Sequence, residues 1–279
     1  MADKFEFARQ HKLFSLYTAL VVLILAVAIF APYLAPQDPM AGNMKNVLQT
    51  PSAEHLLGTD KLGRDTLSRI IAGTQVSLFM TICLVVLIAA VGSLVGIVSG
   101  YFGGKIETVL MRFADMMLAF PGVVLAIAIA GILGGSVVNT ILALLTVSWA
   151  KYARLVRSLV IKLRHSDFVL AAQVNGTRTK DILRRHILPN VLPMVVITGA
   201  MDIGTMMMEI AGLSFLGFGA QPPTPEWGLM LNEGRQYIQT APWLMMYPGT
   251  AIFIVVAVFN LWGDSLRDLL DPRHDNTNR

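Results

Sequence analysis

From Lys151 to Asn190 the chain reads KYARLVRSLVIKLRHSDFVLAAQVNGTRTKDILRRHILPN. Nine Lys or Arg fall within the 36 residues from Lys151 to His186, and the flanking segments are almost wholly apolar. A cationic stretch of this length between membrane spans belongs on the cytoplasmic side. The order of its residues also predicts a shape. Phe168 to Val174 has a helical pattern, and Gly176 suits a chain reversal because glycine takes positive φ at little cost. Thr177 or Thr179 is placed to cap a second short helix running through Asp181, Ile182, Leu183 and Arg184. Pro189 then opens the next span, where an N-terminal proline is tolerated. Charge alone describes an ordinary positive-inside loop. The punctuation by helix, glycine turn and proline describes a segment that docks onto something and passes motion to it.

The composition agrees with a polytopic membrane protein. The 279 residues are 54% hydrophobic and 14% charged, against about 25% charged in a soluble domain. The single cysteine, Cys83, lies in an apolar run and excludes both a disulfide framework and a cysteine metal site. The net charge of +4 does not point to nucleic acid, because the cations sit beside spans, where membrane orientation accounts for them.

A crossing helix needs about 20 apolar residues. Leu13 to Ala31 is the first such segment, after Lys4, Arg9 and Lys12 and before Pro32 and Pro36. No small-residue cleavage site follows it, so it reads as a retained anchor rather than a signal peptide. The charge-free stretch Ile70 to Gly104 predicts a second span over about Ser77 to Gly100, preceded by an amphipathic helix. Met116 to Ala150 is charge-free over 35 residues, with a turn signal in Gly131, Gly134, Gly135, Ser136 and Asn139. It predicts two spans, the second running past Lys151 with Lys151 and Arg154 reaching to the interface. Ile187 to Met208 and Trp243 to Gly263 complete an all-α bundle of six transmembrane helices. With both termini cytoplasmic, the inner segments 1–12, 105–115, 151–186 and 264–279 hold 17 Lys and Arg, and the outer segments hold 5. That bias supports the orientation. The organisation expected is a cytoplasmic N-terminus over 1–12 and one transmembrane domain over 13–279. Its outer loop covers 33–75, its cytoplasmic loop 151–190 and its outer glycine–proline loop 211–242.

Three further stretches carry candidate chemistry. His55 to Arg69 is polar, glycine-punctuated and placed outside. Thr66 to Thr74 reads as an interfacial helix, and Asp60, Arg64 and Asp65 read first as locally paired surface residues, with a docking or gating surface as the alternative. Ala211 to Gly228 has too many glycines and prolines for a long helix, yet Leu213, Phe215, Leu216 and Phe218 need apolar surroundings. Non-helical backbone at membrane depth is tolerated only inside protein or along a cavity, so the segment reads as re-entrant or as a gate. Asp202 lies inside the fifth span with Glu209 near its outer end, and an ionisable residue there is a functional candidate by default. Thr198, Asp202 and Thr205, with Gly199, follow helical spacing and suggest one interior face. A carboxylate hydrogen-bonded to a neighbouring helix is the structural alternative. No phosphate-binding glycine loop, paired-histidine motif or nucleophile elbow is present, so the chain alone is not expected to be an enzyme.

Leu170-Ala-Ala-Gln-Val-Asn-Gly176 followed by Ile187-Leu-Pro189 resembles the EAA loop of ABC importer permeases, with Leu170 where that loop carries an acidic residue. The stretches Leu56 to Asp65, Met111 to Pro121, Gly219 to Gly228 and Phe259 to Pro272 are similar to the C-type permease of the dipeptide, oligopeptide and nickel importers. Ser148 to Val160, Met201 to Met207 and Arg235 to Ile238 look closer to the nickel branch. The resemblance covers nearly the whole chain. It implies a type I importer architecture in the bacterial cytoplasmic membrane and a heterodimeric pore with a second related permease. It further implies two cytoplasmic ATP-binding subunits that hold ATP and Mg, and an extracytoplasmic substrate-binding protein. This chain would carry no cofactor or metal of its own. ATPase coupling would fall to Ala171, Ala172, Gly176, Ile187 and Pro189, and the pathway or gate candidates are Asp202, Glu209, Phe215 and Phe218. The branch suggests nickel or a metal chelate as substrate, with di- or oligopeptides second. An ATPase-independent secondary transporter or channel is the competing class. It would need inverted repeats and a midplane ion site, and no internal repeat is visible.

Overall fold

The structure is a computed structural model that describes residues 2–270, with side chains over 12–269. The expected inner segment 1–12 has only Lys12 among the described side chains, and Asp271 to Arg279 lies outside the described residues, as do Arg273 and Arg279 of the expected inner C-terminal segment.

Ten α-helices carry the described chain. They are α1 (Ala2–Leu34), α2 (Thr66–Phe102), α3 (Gly104–Ala119), α4 (Gly122–Leu133), α5 (Val137–Arg164), α6 (Asp167–Val174), α7 (Thr179–Ile182), α8 (Leu188–Phe215), α9 (Trp227–Gly234) and α10 (Trp243–Leu270). A single bridge between Thr59 and Asp65 is the only extended pairing among the described residues. Four helices are long and apolar enough to cross a membrane: Lys12–Leu34, Thr66–Phe102, Thr179–Phe215 and Trp243–Leu269. A fifth span results if α3 and α4 count as one broken segment, and α5, the expected fourth span, is not among the helices that meet this test, so by length and composition the described chain reaches five spans rather than the expected six.

Two details differ from the expected span boundaries. First, no separate interfacial helix precedes the second span. α2 is continuous over 37 residues, because Asp65 caps it by accepting from the Ser68 N–H at 2.8 Å and the Ser68 hydroxyl at 2.7 Å. Second, the third span does not run straight from Met116. The chain is extended at Phe120 (φ −97°, ψ 148°), as expected before Pro121, and α3 and α4 meet there at 92°. The 12 residues of α4 extend only about 18 Å, too short to cross alone. The glycine turn after α4 is where the sequence places it. Asn139 donates to the Leu133 carbonyl (2.7 Å) and the Gly134 carbonyl (3.0 Å), and its own N–H is capped by Ser136. α5 does run past Lys151 as one helix.

The chain forms two compact units, with the boundary falling inside α2, α5 and α8 and before the last residue of α4. Unit 1 comprises 1–82, 133–140 and 200–279. Its core sets α1 against α10 and α10 against α9, around Val21, Leu78, Met207, Trp227, Met230, Ile252, Val255 and Phe259. Trp262 of α10 donates to the Thr18 hydroxyl of α1 at 3.1 Å. Unit 2 comprises 83–132 and 141–199. Ala114, Trp149, Ala150 and Ala153 form its centre, with Val95, Met111 and Met117 packed around them.

Candidate functional site

The hairpin formed by α6 and α7 belongs to unit 2. α6 ends at Val174, and Gly176 takes φ +72°, the left-handed region expected of the turn. The Gly176 N–H donates to the Gln173 carbonyl and the Thr177 N–H to the Ala172 carbonyl, both at 3.0 Å, so the carbonyls at the end of α6 are satisfied. The second helix starts differently from expectation. Arg178, not Thr177 or Thr179, occupies the N-cap of α7, and no side chain caps it. α7 then continues through a π-helical turn, Leu183–Ile187, directly into α8. The wide turn has a physical reason in Pro189. Proline has no N–H and crowds the carbonyl four residues back, and a looser turn accommodates both. The second arm is therefore rigidly continuous with a span, the helix from Thr179 to Phe215.

Of the proposed coupling residues, Ala171, Gly176 and Pro189 are exposed, Ala172 is half-buried and Ile187 is buried. Ile187, Val169 and Ile182 anchor the hairpin from within. On its outer side Val174 is 88% exposed, and Phe168 and Leu170 are also exposed. An apolar surface on a polar loop is a contact surface.

The loop before α2, part of unit 1, corrects the surface reading of His55 to Arg69. His55, Asp60, Arg64, Asp65 and Arg69 are all buried. Arg64 donates through Nε to Asp60 (2.6 Å) and through Nη2 to Glu233 Oε2 (3.2 Å). Arg69 donates through Nη2 to Glu233 Oε2 (3.1 Å), and Lys61 reaches Glu233 Oε1 at 3.4 Å. Asp65 pairs with His55 Nδ1 at 3.1 Å. Asp60 and Arg64 do pair locally, as their spacing suggested. Glu233, which sequence reasoning missed, gathers the cations from about 170 residues away.

A second missed residue is Glu226, 1% exposed. Its carboxylate accepts from the Gly228 N–H (2.9 Å), the Leu229 N–H (2.8 Å) and the Ser77 hydroxyl (3.3 Å), which caps α9. Burial pushes this carboxyl above its usual range, although the backbone donors and Ser77 pull the other way. Trp227 beside it donates its indole N–H to the Ile70 carbonyl at 3.1 Å. The motif Pro-Glu-Trp-Gly228 was visible in the sequence, and an acidic residue just before an aromatic helix start is the cap signal that could have located it.

The pathway candidates also lie in unit 1. Helix α8 runs on to Phe215, and the non-helical segment is limited to 216–226. Phe215 and Phe218 are half-buried, and their carbonyls accept from Asn232 and from Thr140 (2.9 Å). Asp202 is buried, and both it and Glu209 are engaged in polar interactions. Along the expected face Asp202 and Gly199 are buried, Thr198 is half-buried and Thr205 is exposed. No group of His, Cys, Asp and Glu among the described residues could hold a metal ion.

The described chain is all-helical apart from one isolated bridge and is rich in helices apolar enough to cross a membrane, the architecture of a polytopic membrane protein. Residues 92–276 match the model of the binding-protein-dependent transport system inner membrane component, and residues 8–51 match the N-terminal TM domain of oligopeptide transport permease C. The chain is 42% identical over 271 residues to a dipeptide transport system permease of Alkalihalophilus pseudofirmus, covering 97% of this chain and 89% of that protein. It is 43% identical over 253 residues to a nickel transport system permease of Escherichia coli, covering 91% of each. A glutathione transport system permease of Escherichia coli is 44% identical over 272 residues, covering 96% of this chain and 88% of that one. Among solved structures, the MetNI methionine ABC transporter in an inward-facing conformation aligns at TM-score 0.56 and 18% identity, over 72% of this chain and 95% of that one, which supports the fold. The chain belongs to the binding-protein-dependent transport system inner membrane component family, as a permease subunit of an ABC importer in the inner membrane.

Proposed function

We propose that this chain forms half of a heterodimeric translocation pore. A second related permease forms the other half, two ATP-binding subunits bind and hydrolyse ATP with Mg on the cytoplasmic side, and an extracytoplasmic binding protein delivers the substrate. The observation that carries this reading is the α6–Gly176–α7 hairpin. It presents exposed Phe168, Leu170 and Val174, and its second arm is continuous with a membrane-crossing helix. Closure of the ATPases against the hairpin is thereby transmitted into α8 as alternating access. The six-span topology with both termini inside rests on the distribution of 17 inner against 5 outer cations. In it, α5 is the remaining span and its charged end lies at the inner interface.

The test is Gly176→Val in the complete importer, reconstituted with its partners. Nothing in this chain lies within 4 Å of a Cβ at this position, so within the chain the substitution acts through the positive φ. A β-branched residue there carries strain of roughly 1–3 kcal/mol. The expected result is normal membrane insertion, loss of substrate-stimulated ATP hydrolysis and about tenfold slower uptake. Wild-type stimulation and uptake would remove the hairpin from the coupling role.

For the substrate we propose nickel or a metal chelate, with di- or oligopeptides as the second reading. The nickel permease supports the first at 43% identity, while the dipeptide and glutathione permeases support the second over a larger share of the chain. Uptake of radiolabelled nickel against labelled dipeptide in a strain lacking the transporter separates them. Asp202 is the pathway candidate for a cationic substrate. If it lines the route, Asp202→Asn will lower uptake of that substrate while assembly and basal ATPase persist. Unchanged uptake would leave Asp202 a structural hydrogen-bonding group.

A further inference from the structure

Helix α3 and the charged end of α5, both within unit 2, border an open groove of about 920 Å³. Its wall includes Lys105, Glu107, Arg112, Asp115, Arg154 and Arg157. The two carboxylates are already taken. Asp115 pairs with Arg154 Nη2 at 2.5 Å, and Glu107 pairs with Arg157. Lys105 and Arg112 have no ion pair among the described residues, and both are exposed. They lie seven residues apart, two helical turns, and so stand one above the other on α3.

The other side of that line is apolar. Ile106, Val109, Phe113 and Met116 recur at helical spacing, and each is about half exposed or more. Phe113 stacks on Trp149 at 5.9 Å, which fixes the stripe to the body of unit 2. Lys105 and Arg112 thus mark the seam between an apolar stripe and an open groove lined by charged residues. That is the order of groups met at a membrane surface, with acyl chains, then phosphate, then water. Basic pockets between helices at the inner face favour anionic headgroups over zwitterionic ones.

We propose that the α3–α5 groove binds the phosphate of an anionic phospholipid headgroup through Lys105 and Arg112, with the acyl chains along Ile106, Val109, Phe113 and Met116. The ion pairs Arg154–Asp115 and Arg157–Glu107 keep the groove open on its far side by tying α5 to α3. A lipid seated there braces α3 just before the 92° bend into α4.

The experiment is native mass spectrometry of the purified importer complex titrated with cardiolipin, phosphatidylglycerol or phosphatidylethanolamine. The wild-type complex should hold the two anionic lipids in preference to phosphatidylethanolamine. The double variant Lys105→Gln, Arg112→Gln should weaken them by about fivefold per removed cation, roughly 25-fold together. The charge-retaining pair Lys105→Arg, Arg112→Lys should bind as wild type, which separates charge from fold. Undiminished cardiolipin binding in the Gln variant, or equal binding of phosphatidylethanolamine, overturns the proposal. Displacement of the lipid by millimolar inorganic phosphate also overturns it, because the site would then serve a soluble anion. The remaining alternative is a neighbouring protein subunit on the stripe. A cysteine at Val109, in a Cys83→Ser background, should stay uncrosslinked to every co-purified subunit, and efficient crosslinking would assign the stripe to that subunit instead.

Discussion

Glu233→Leu will destabilise the importer by about 3–5 kcal/mol, the cost of removing one partner from a buried ion pair. Glu233 is the anion on which Arg64, Arg69 and Lys61 converge. The Arg64 and Arg69 side chains are each 1% exposed. Without Glu233 the one carboxylate left to them is Asp60, which already accepts from the Leu62 and Arg64 backbone N–H groups at 2.8 and 3.0 Å, and Arg69 keeps beside it only the Pro39 and Pro223 carbonyls at 3.3 Å. Two guanidinium groups would then share one carboxylate out of contact with water. A contrasting pair supplies the control. Arg154 and Asp115 are about half exposed, and Asp115→Asn should change stability by no more than about 1 kcal/mol. Thermal unfolding of the detergent-solubilised complex reads both variants. The knot has no structural weight if Glu233→Leu melts with the wild type. Because the ring of charges joins the loop before α2 to the α9 segment, the same variant should also lower the amount of assembled complex in the membrane.

What the sequence could and could not reveal follows the range of the interactions. Four spans, and a fifth as the broken α3–α4 pair, were legible because a charge-free run is a local property, and so was the hairpin, because Gly176 and Pro189 act on their own backbone. The break before α4 was also local. Phe120-Pro121 carries the signal, but it sits inside a charge-free window and was read as part of a span. The buried charge knot was not legible. Arg69 lies within the stretch whose sequence reads as an interfacial helix, and its neutralising partner, Glu233, is 164 residues away. Glu226 failed for the same reason, since its burial depends on Ser77 and on Trp227 closing over Ile70. The missing cap at α7 reflects a different cause. A helix that continues into α8 is held by the span that follows, and needs no side-chain start.

The other large effect concerns a contact made without side chains. Gly92, Gly96 and Gly100 stand four residues apart on α2 and face α5 within unit 2. A Cβ on Gly96 would lie 2.7 Å from the Ala153 carbonyl oxygen and 2.7 Å from Val156 Cβ. On Gly92 it would lie 2.6 Å from the Trp149 carbonyl oxygen, and on Gly100 it would lie 2.9 Å from that of Arg157. At each position the obstructing atoms include a backbone carbonyl oxygen and the Cβ of Tyr152, Val156 or Val160, which no rotamer change moves, so the two helices would have to separate along their length. In a membrane, helix association relies on such close packing because lipid supplies little hydrophobic drive between helices. Gly96→Leu should therefore cost at least the roughly 3 kcal/mol at the upper end of ordinary overpacking. The reading is the yield of folded permease in membranes and the melting temperature of whatever is recovered. Gly249→Ala is the matched control in α10, where the nearest atom to a new Cβ is Leu231 Cδ2 at 3.9 Å, and it should be tolerated. If Gly96→Leu accumulates and melts like Gly249→Ala, the helices do not approach as closely as these distances require. If instead even Gly96→Ala lowers the yield, the contact is limited by backbone approach rather than by side-chain volume, as the 2.7 Å to the Ala153 carbonyl implies.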